Sequence, residues 1–170
     1  MRGAQHTFAI CPTHDYKRHG TTTLFAALNV ISGEVIGTCL PQHRHDEFLR
    51  FLKHLDRRTP KALDLHLIID SYATHKHPNV NARLAQHPRF HLHFTPTRAS
   101  WLNLVERFFR DLTEDQIRRG VFRSVADLER AIMAYLDHRN EHPKPYRWTA
   151  TAASILAKVH RANVSLDAVH

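Results

Sequence analysis

Residues 63–95 read LDLHLIIDSYATHKHPNVNARLAQHPRFHLHFT, and this stretch decides the fold. Leu63 to Ile69 is a mostly apolar run that stops abruptly at Asp70, which predicts a buried strand with an acid at its carboxyl end. Pro78 opens a short helix through about Gln86, since proline is tolerated in a first helical turn but not deeper. Phe90 to Phe94 (FHLHF) alternates and predicts another strand, stopped by Pro96. Strand, helix and strand in such short order make a βαβ unit with a parallel pair.

Upstream of that unit, Thr22 to Val30 and Val35 to Leu40 are β-branched and apolar, with Ile31-Ser32-Gly33-Glu34 as a tight turn between them. They predict an antiparallel hairpin. A helix follows from about His45 to Arg58, its Phe48, Phe51, Leu52 and Leu55 forming one apolar stripe. Residues 1–20 show little periodicity and end in a polar loop, His14 to Gly20. Downstream the chain is helical. Trp101, Val105, Phe108 and Leu112 share one face of a helix that runs to about Arg119 before Gly120. Ser124, with Asp127 three residues on, caps a helix to about His138, and a last helix is expected from about Thr149 to Ala162. The expected class is α/β, a mixed sheet flanked by helices.

Composition narrows the function. The chain has 170 residues, 42% hydrophobic and 24% charged, within the globular range. No apolar run reaches the length of a membrane span, and the N-terminus lacks the apolar stretch of a secretory signal. Two cysteines, Cys11 and Cys39, are too few for a disulfide framework or a four-ligand zinc site. A cytoplasmic, nucleoid-associated protein with no membrane partner is expected. The net charge of +8 points to an anionic partner, most simply nucleic acid held through its phosphates. The bland alternative is a surface that keeps its charge away from zero for solubility. The 16 histidines are scattered, without zinc-site spacing, and read as surface or compositional bias.

Asp70 sits where open α/β sheets place ligands, although a lone acid there also suits a turn or cap. Glu106 lies on the 101–119 helix at the edge between core and solvent, and its bland alternative is an ion pair with Arg110. Thirty-five residues of helix, strand and Pro-containing loop separate the two acids, enough to return a helix to the tip of the Asp70 strand. Two-metal phosphoryl chemistry needs such convergence, because carboxylates hold two hard cations ~3.5–4 Å apart.

The segments LHLIIDSYATHKHP (65–78) and HFTPTRASWLNLVERFFRDL (93–112) resemble the mariner-like bacterial insertion-sequence transposases, the branch named for insertion sequence six-thirty. The resemblance runs from about His14 to about Ala157. There an Asp-Asn-x-x-x-His pattern ends one strand, matched here by Asp70 and His75, and Asn-x-(x)-Glu on a helix is matched by Asn103 and Glu106. It implies an RNase H-like fold and a DDE-type transposase that cuts and joins DNA with two Mg²⁺ or Mn²⁺ ions. Asp70 and Glu106 would be the second and third acids of the metal-binding triad, supported by Ser71, His75 and Asn103. Lys17, Arg18, Lys76, Arg107, Arg110, Arg139, Lys144 and Arg147 would contact DNA. The partners implied are terminal inverted repeats and target DNA, with a homodimer joining two element ends.

Two departures bear on activity. Ser71 stands where the family usually has Asn. The family's first Asp lies on a first strand upstream of the hairpin, and the only acid before Thr22 is Asp15, in a loop. The expectation is therefore an N-terminally truncated core with its first strand missing and little or no catalysis of its own. Its parts would be a remnant or disordered segment (1–20), the incomplete catalytic core (21–140) and a basic helical arm (141–170). From His138 to Arg161 that arm has five basic residues against one acidic. The rival functions are a non-catalytic DNA-binding or assembly fragment and another nuclease of the same fold.

Overall fold

The computed structural model describes residues 21–70, 76–95 and 103–146, and the backbone of residues 5–12; for Asp70, Thr95 and Asn103 it describes the backbone alone. Five strands form one sheet: β1 (Gln5–Pro12), β2 (Thr23–Asn29), β3 (Val35–Leu40), β4 (Asp64–Asp70) and β5 (Phe90–Thr95). Their order is β3-β2-β1-β4-β5. β1–β2 and β2–β3 pair antiparallel, whereas β1–β4 and β4–β5 pair parallel. The helices are α1 (His45–Arg58), α2 (Pro78–Gln86), α3 (Asn103–Leu112) and α4 (Val125–Glu141).

Every residue of β2 is buried, so its alternation separates two cores instead of core from water. Phe25 and Ala27 join Phe48, Phe51, Leu52 and Leu55 of α1, Val80 of α2, and Leu65, Leu67 and Ile69 of β4. Leu24, Ala26 and Leu28 join Leu104, Val105, Phe108, Phe109 and Leu112 of α3 with Ile132 and Leu136 of α4. The sheet is thus the middle of three layers, α1 and α2 on one face, α3 and α4 on the other. Burying a side chain of this size contributes roughly 1.5–3 kcal/mol, so each layer is held by several such anchors.

Local chemistry sets the ends of the elements. Asn29 closes the β2–β3 hairpin, its side-chain oxygen accepting from the N–H groups of Ile31 (3.0 Å) and Ser32 (3.2 Å). Gly33 takes the left-handed conformation there (φ 78°), and a Cβ would meet the Lys144 carbonyl carbon at 2.5 Å. Asp46 and Glu47 open α1 while Arg57 and Arg58 close it, matching the helix dipole. Pro78 begins α2 as expected, and the Ser124 hydroxyl accepts from the Asp127 N–H to cap α4. Asn140 of α4 locks that helix to the edge strand, donating to the Val35 carbonyl (2.8 Å) and accepting from its N–H (2.9 Å).

The expectation that residues 1–20 hold no strand of the sheet is corrected at residues 5–12. The first strand is not missing: β1 occupies the centre of the sheet, paired along Phe8↔Asn29 to Pro12↔Phe25 on one side and Gln5↔Asp64 to Ile10↔Ile69 on the other. The run Thr7-Phe8-Ala9-Ile10-Cys11 lacks polar alternation because a central strand of a layered sheet need not show a wet face. A second difference concerns α3, expected to continue to about Arg119. Its α-helical part stops at Leu112 and passes into a π-helical turn, Thr113–Ile117. The Thr113 hydroxyl donates to the Phe109 carbonyl (2.7 Å), competing for the acceptor a regular turn would use. The expected helix at 149–162 lies outside the described residues.

Candidate active site

β4 and α3 carry the two acids singled out by the sequence. Asp70 is the last residue of β4, paired with Thr95 of β5. Its side chain is outside what is described. α3 lies against β1, the strand beside β4. Leu104, Val105, Phe108, Phe109 and Leu112 bury one side of α3, which leaves Glu106, Arg107 and Arg110 exposed on the other. Glu106 stands in the first turn, where a carboxylate is favoured by the helix dipole. Among the described residues it forms no ion pair with Arg110, so the surface alternative for Glu106 gains no support from that contact.

The other predicted positions divide into three groups. Lys17, Arg18, Ser71, His75 and Arg147 lie outside the described residues, and of Asn103 only the backbone position at the start of α3 is described. Lys76 is exposed, with its ammonium 5.1 Å from the centre of the Phe94 ring. Lys144 is exposed beside the hairpin turn. Arg139 is half-buried over two rings, Phe108 at 5.7 Å and Tyr146 at 4.9 Å, and Arg107 lies 5.5 Å from Tyr146. The Tyr146 hydroxyl donates to Asp111 (2.7 Å), and burial followed by that acid raises its pKa. These contacts fasten α3 to the chain after α4.

Sequence reading missed a histidine cluster on the strand pair that ends at Asp70. His66 and His91 are register partners, as are Ile68 and His93. His66 Nδ1 and His93 Nε2 are 2.9 Å apart, and the rings of His66 and His91 stack at 4.8 Å. Burial first, then His66 and His91, lowers the pKa of His93 to about 4. The unfolded chain protonates that ring near 6.5, so it binds more protons than the folded state between the two values. Stability is therefore full above 6.5 and declines as pH falls toward 4. After solvent screening at this half-open face, the loss is expected to be on the order of 1–2 kcal/mol. Thermal melts at pH 7 and pH 5 should differ by several degrees, and His93→Asn should flatten that difference.

Among the described residues no group of three or more His, Cys, Asp or Glu side chains is arranged to hold a metal ion, the Asp70 carboxylate being outside them. None of their helices is long and apolar enough to cross a membrane.

Residues 8–129, most of the chain, match the DDE superfamily endonuclease family. The chain belongs to that family. A 39 kDa protein of insertion element IS630 from Shigella sonnei is 26% identical over 96 residues, 56% of this chain. The chain spans 28% of that relative's length. Among solved structures, the catalytic core domain of BIV integrase superposes with a TM-score of 0.61 at 18% identity, covering 95% of this chain and 99% of that one. A chain of the simian T-cell lymphotropic virus intasome in complex with the PP2A regulatory subunit B56 gamma gives 0.60 at 16%, covering 80% and 49%. These likenesses establish the RNase H-like fold, and the family match makes the chain a DDE endonuclease domain.

Proposed function

We propose that this DDE domain is the catalytic core of an insertion-sequence transposase, in which Asp70 and Glu106 hold divalent metal and DNA is the substrate. The observation that carries the reading is the relation of two elements within this family's fold. β4 ends at Asp70 beside the central strand, and α3 lies against that same strand with Glu106 exposed in its first turn. Leu67 and Ile69 of β4 pack into the α1–α2 core, and α3 covers the opposite face of the sheet. Carboxylate oxygens suit a hard cation such as Mg²⁺ or Mn²⁺. Bound there, two such ions would activate the attacking oxygen and steady the leaving one. Ser71, His75 and Asn103 flank the acids and orient them. Lys17, Arg18, Lys76, Arg107, Arg110, Lys144 and Arg147 draw phosphates to the site, whereas Arg139 is engaged with Phe108 and Tyr146. Two such cores acting together would join two element ends.

The strand QHTFAICP carries no carboxylate, so the first acid is absent from its ordinary place. This favours weak cleavage by the chain alone and keeps a non-catalytic DNA-binding role as the second reading. The registers offer a test by gain of activity. Ala9 is the partner of both Leu28 and Ile68, and two further steps along the parallel register bring Cys11 beside Asp70. Ala9→Asp or Cys11→Asp is expected to raise Mn²⁺-dependent nicking of supercoiled plasmid at least about tenfold, by completing the carboxylate set. Adding Glu106→Gln should abolish the gain. No gain from either acid, in folded protein, would favour the non-catalytic reading.

A further inference from the structure

On the opposite face of the sheet from α3, helices α1 and α2 border an open cleft of about 410 Å³. Arg50, Lys53 and Arg57 of α1 line one wall, Arg83 and His87 the other, and Asp56 lies between them. The three α1 cations recur at i, i+3 and i+7, on the side away from the buried Phe48, Phe51, Leu52 and Leu55. All three are exposed and have no ion-pair partner among the described residues.

Asp56 does not neutralise them. Its carboxylate faces Lys61 (2.8 Å), Arg89 (3.5 Å) and Arg83 (4.0 Å). Burial alone would raise its pKa, but Lys61 and then Arg89 and Arg83 outweigh that and hold it below the ordinary value. The His87 ring is bonded through Nδ1 to the Arg83 carbonyl oxygen at 2.9 Å. The cleft therefore presents three cations, Arg50, Lys53 and Arg57, that Asp56 does not engage, with Arg83 shared between the cleft wall and Asp56.

From this geometry we infer that the α1–α2 cleft is a second DNA-binding site, taking the sugar–phosphate backbone of a duplex. Arg50, Lys53 and Arg57 spread over seven residues, about 10 Å of helix rise. A small anion needs donors that converge, whereas a row of this length spans about three base-pair steps of one strand's phosphates at ~3.4 Å of duplex axis each. The inference rests on the reading that this domain acts on DNA, and it adds a contact remote from the acids. Because α1 and α2 cover the other face of the sheet, the duplex held there is a segment distinct from the one at Asp70 and Glu106. It is either another DNA molecule or a more distant stretch of the same one. The contact is to backbone and so is independent of sequence.

Binding of a fluorescein-labelled 30-base-pair duplex, followed by anisotropy from about 50 to 250 mM KCl in EDTA, tests this directly. The triple variant Arg50→Ala/Lys53→Ala/Arg57→Ala changes exposed side chains only, and its fold is checked by circular dichroism. It is expected to bind about 10–100-fold more weakly at the lowest salt, with a log–log salt slope shallower by about 2–3, since each phosphate contact contributes ~0.9. Arg50→Lys/Arg57→Lys should retain the slope. An unchanged slope and affinity in the triple variant would overturn the second site while leaving DNA as the substrate of the acids. No duplex binding by the parent chain would instead overturn the DNA reading and this inference with it. Loss of poly-glutamate binding with duplex binding intact would assign the cleft to an acidic polypeptide and also overturn the proposal.

Discussion

Glu106→Gln and Asp70→Asn are each expected to weaken Mn²⁺ binding by the chain at least about 10–100-fold, measured by titration calorimetry. Altering even an outer partner of a metal ligand costs that much, and these substitutions change the ligands themselves. Glutamine keeps the size and a carbonyl oxygen but removes the charge that holds a hard cation. Whatever Mn²⁺-dependent nicking the chain performs should vanish with the metal. Stability supplies the control. Glu106 is exposed, makes no ion pair among the described residues, and belongs to a helix anchored by five buried neighbours. Its replacement should change the folding free energy by less than about 0.5 kcal/mol. Equal Mn²⁺ affinity in parent and variant would remove Glu106 from the metal site.

The largest stability effect is expected from Phe108, two residues along the same helix. Its side chain is fully buried, tilted against Phe109 with centroids 5.1 Å apart, and capped by the Arg139 guanidinium. Phe108→Ala leaves a cavity under α3 and should cost about 3–5 kcal/mol, lowering the melting temperature by on the order of 10 °C. Phe51→Ala on α1 should cost a similar amount, since Phe51 is equally buried in the other core. The two differ in their functional consequence. A loosened α3 carries Glu106, so Phe108→Ala should also weaken Mn²⁺ binding below its melting temperature. Phe51→Ala should not, and equal metal affinity in both variants would argue against α3 as the carrier of a ligand.

Much of this architecture was legible because local pattern and tertiary environment agree. Phe48, Phe51, Leu52 and Leu55 announce α1, Pro78 marks the start of α2, and the hairpin appears as two apolar runs around a turn. The βαβ unit at 63–95 follows from its residue order, and β4 and β5 pair in parallel as it requires. β1 was not legible for a reason of burial. A central strand hydrogen-bonded on both edges, in a sheet covered on both faces, gives no polar alternation to read, and TFAIC is too short to stand out otherwise. The π-helical turn after Leu112 is accompanied by a bond from the Thr113 hydroxyl to the Phe109 carbonyl, which periodicity does not register.

For the proposed site, the sequence pointed to its two candidate acids through their neighbours: an abrupt strand end for Asp70 and an apolar stripe that exposes Glu106. It could not supply groupings made by folding. The His66–His93 contact spans 27 residues and needs the β4–β5 register to form. Arg139 reads as a free cation on a basic arm until Phe108 and Tyr146 close around it. Arg50, Lys53 and Arg57 read as the wet side of an amphipathic helix until α2 adds Arg83 across from them.

The proposed metal site lies between the end of β4 and the first turn of α3. Ferrous iron, substituted for Mg²⁺ and supplied with ascorbate and peroxide, cuts a polypeptide only near the bound metal. Fragment masses from such a digest of the purified chain therefore locate the site without relying on DNA cleavage. Breaks are expected to cluster around residues 70 and 106 and to be suppressed by excess Mg²⁺ and by Glu106→Gln. Breaks confined to other segments, or an unchanged fragment pattern in Glu106→Gln, would contradict it.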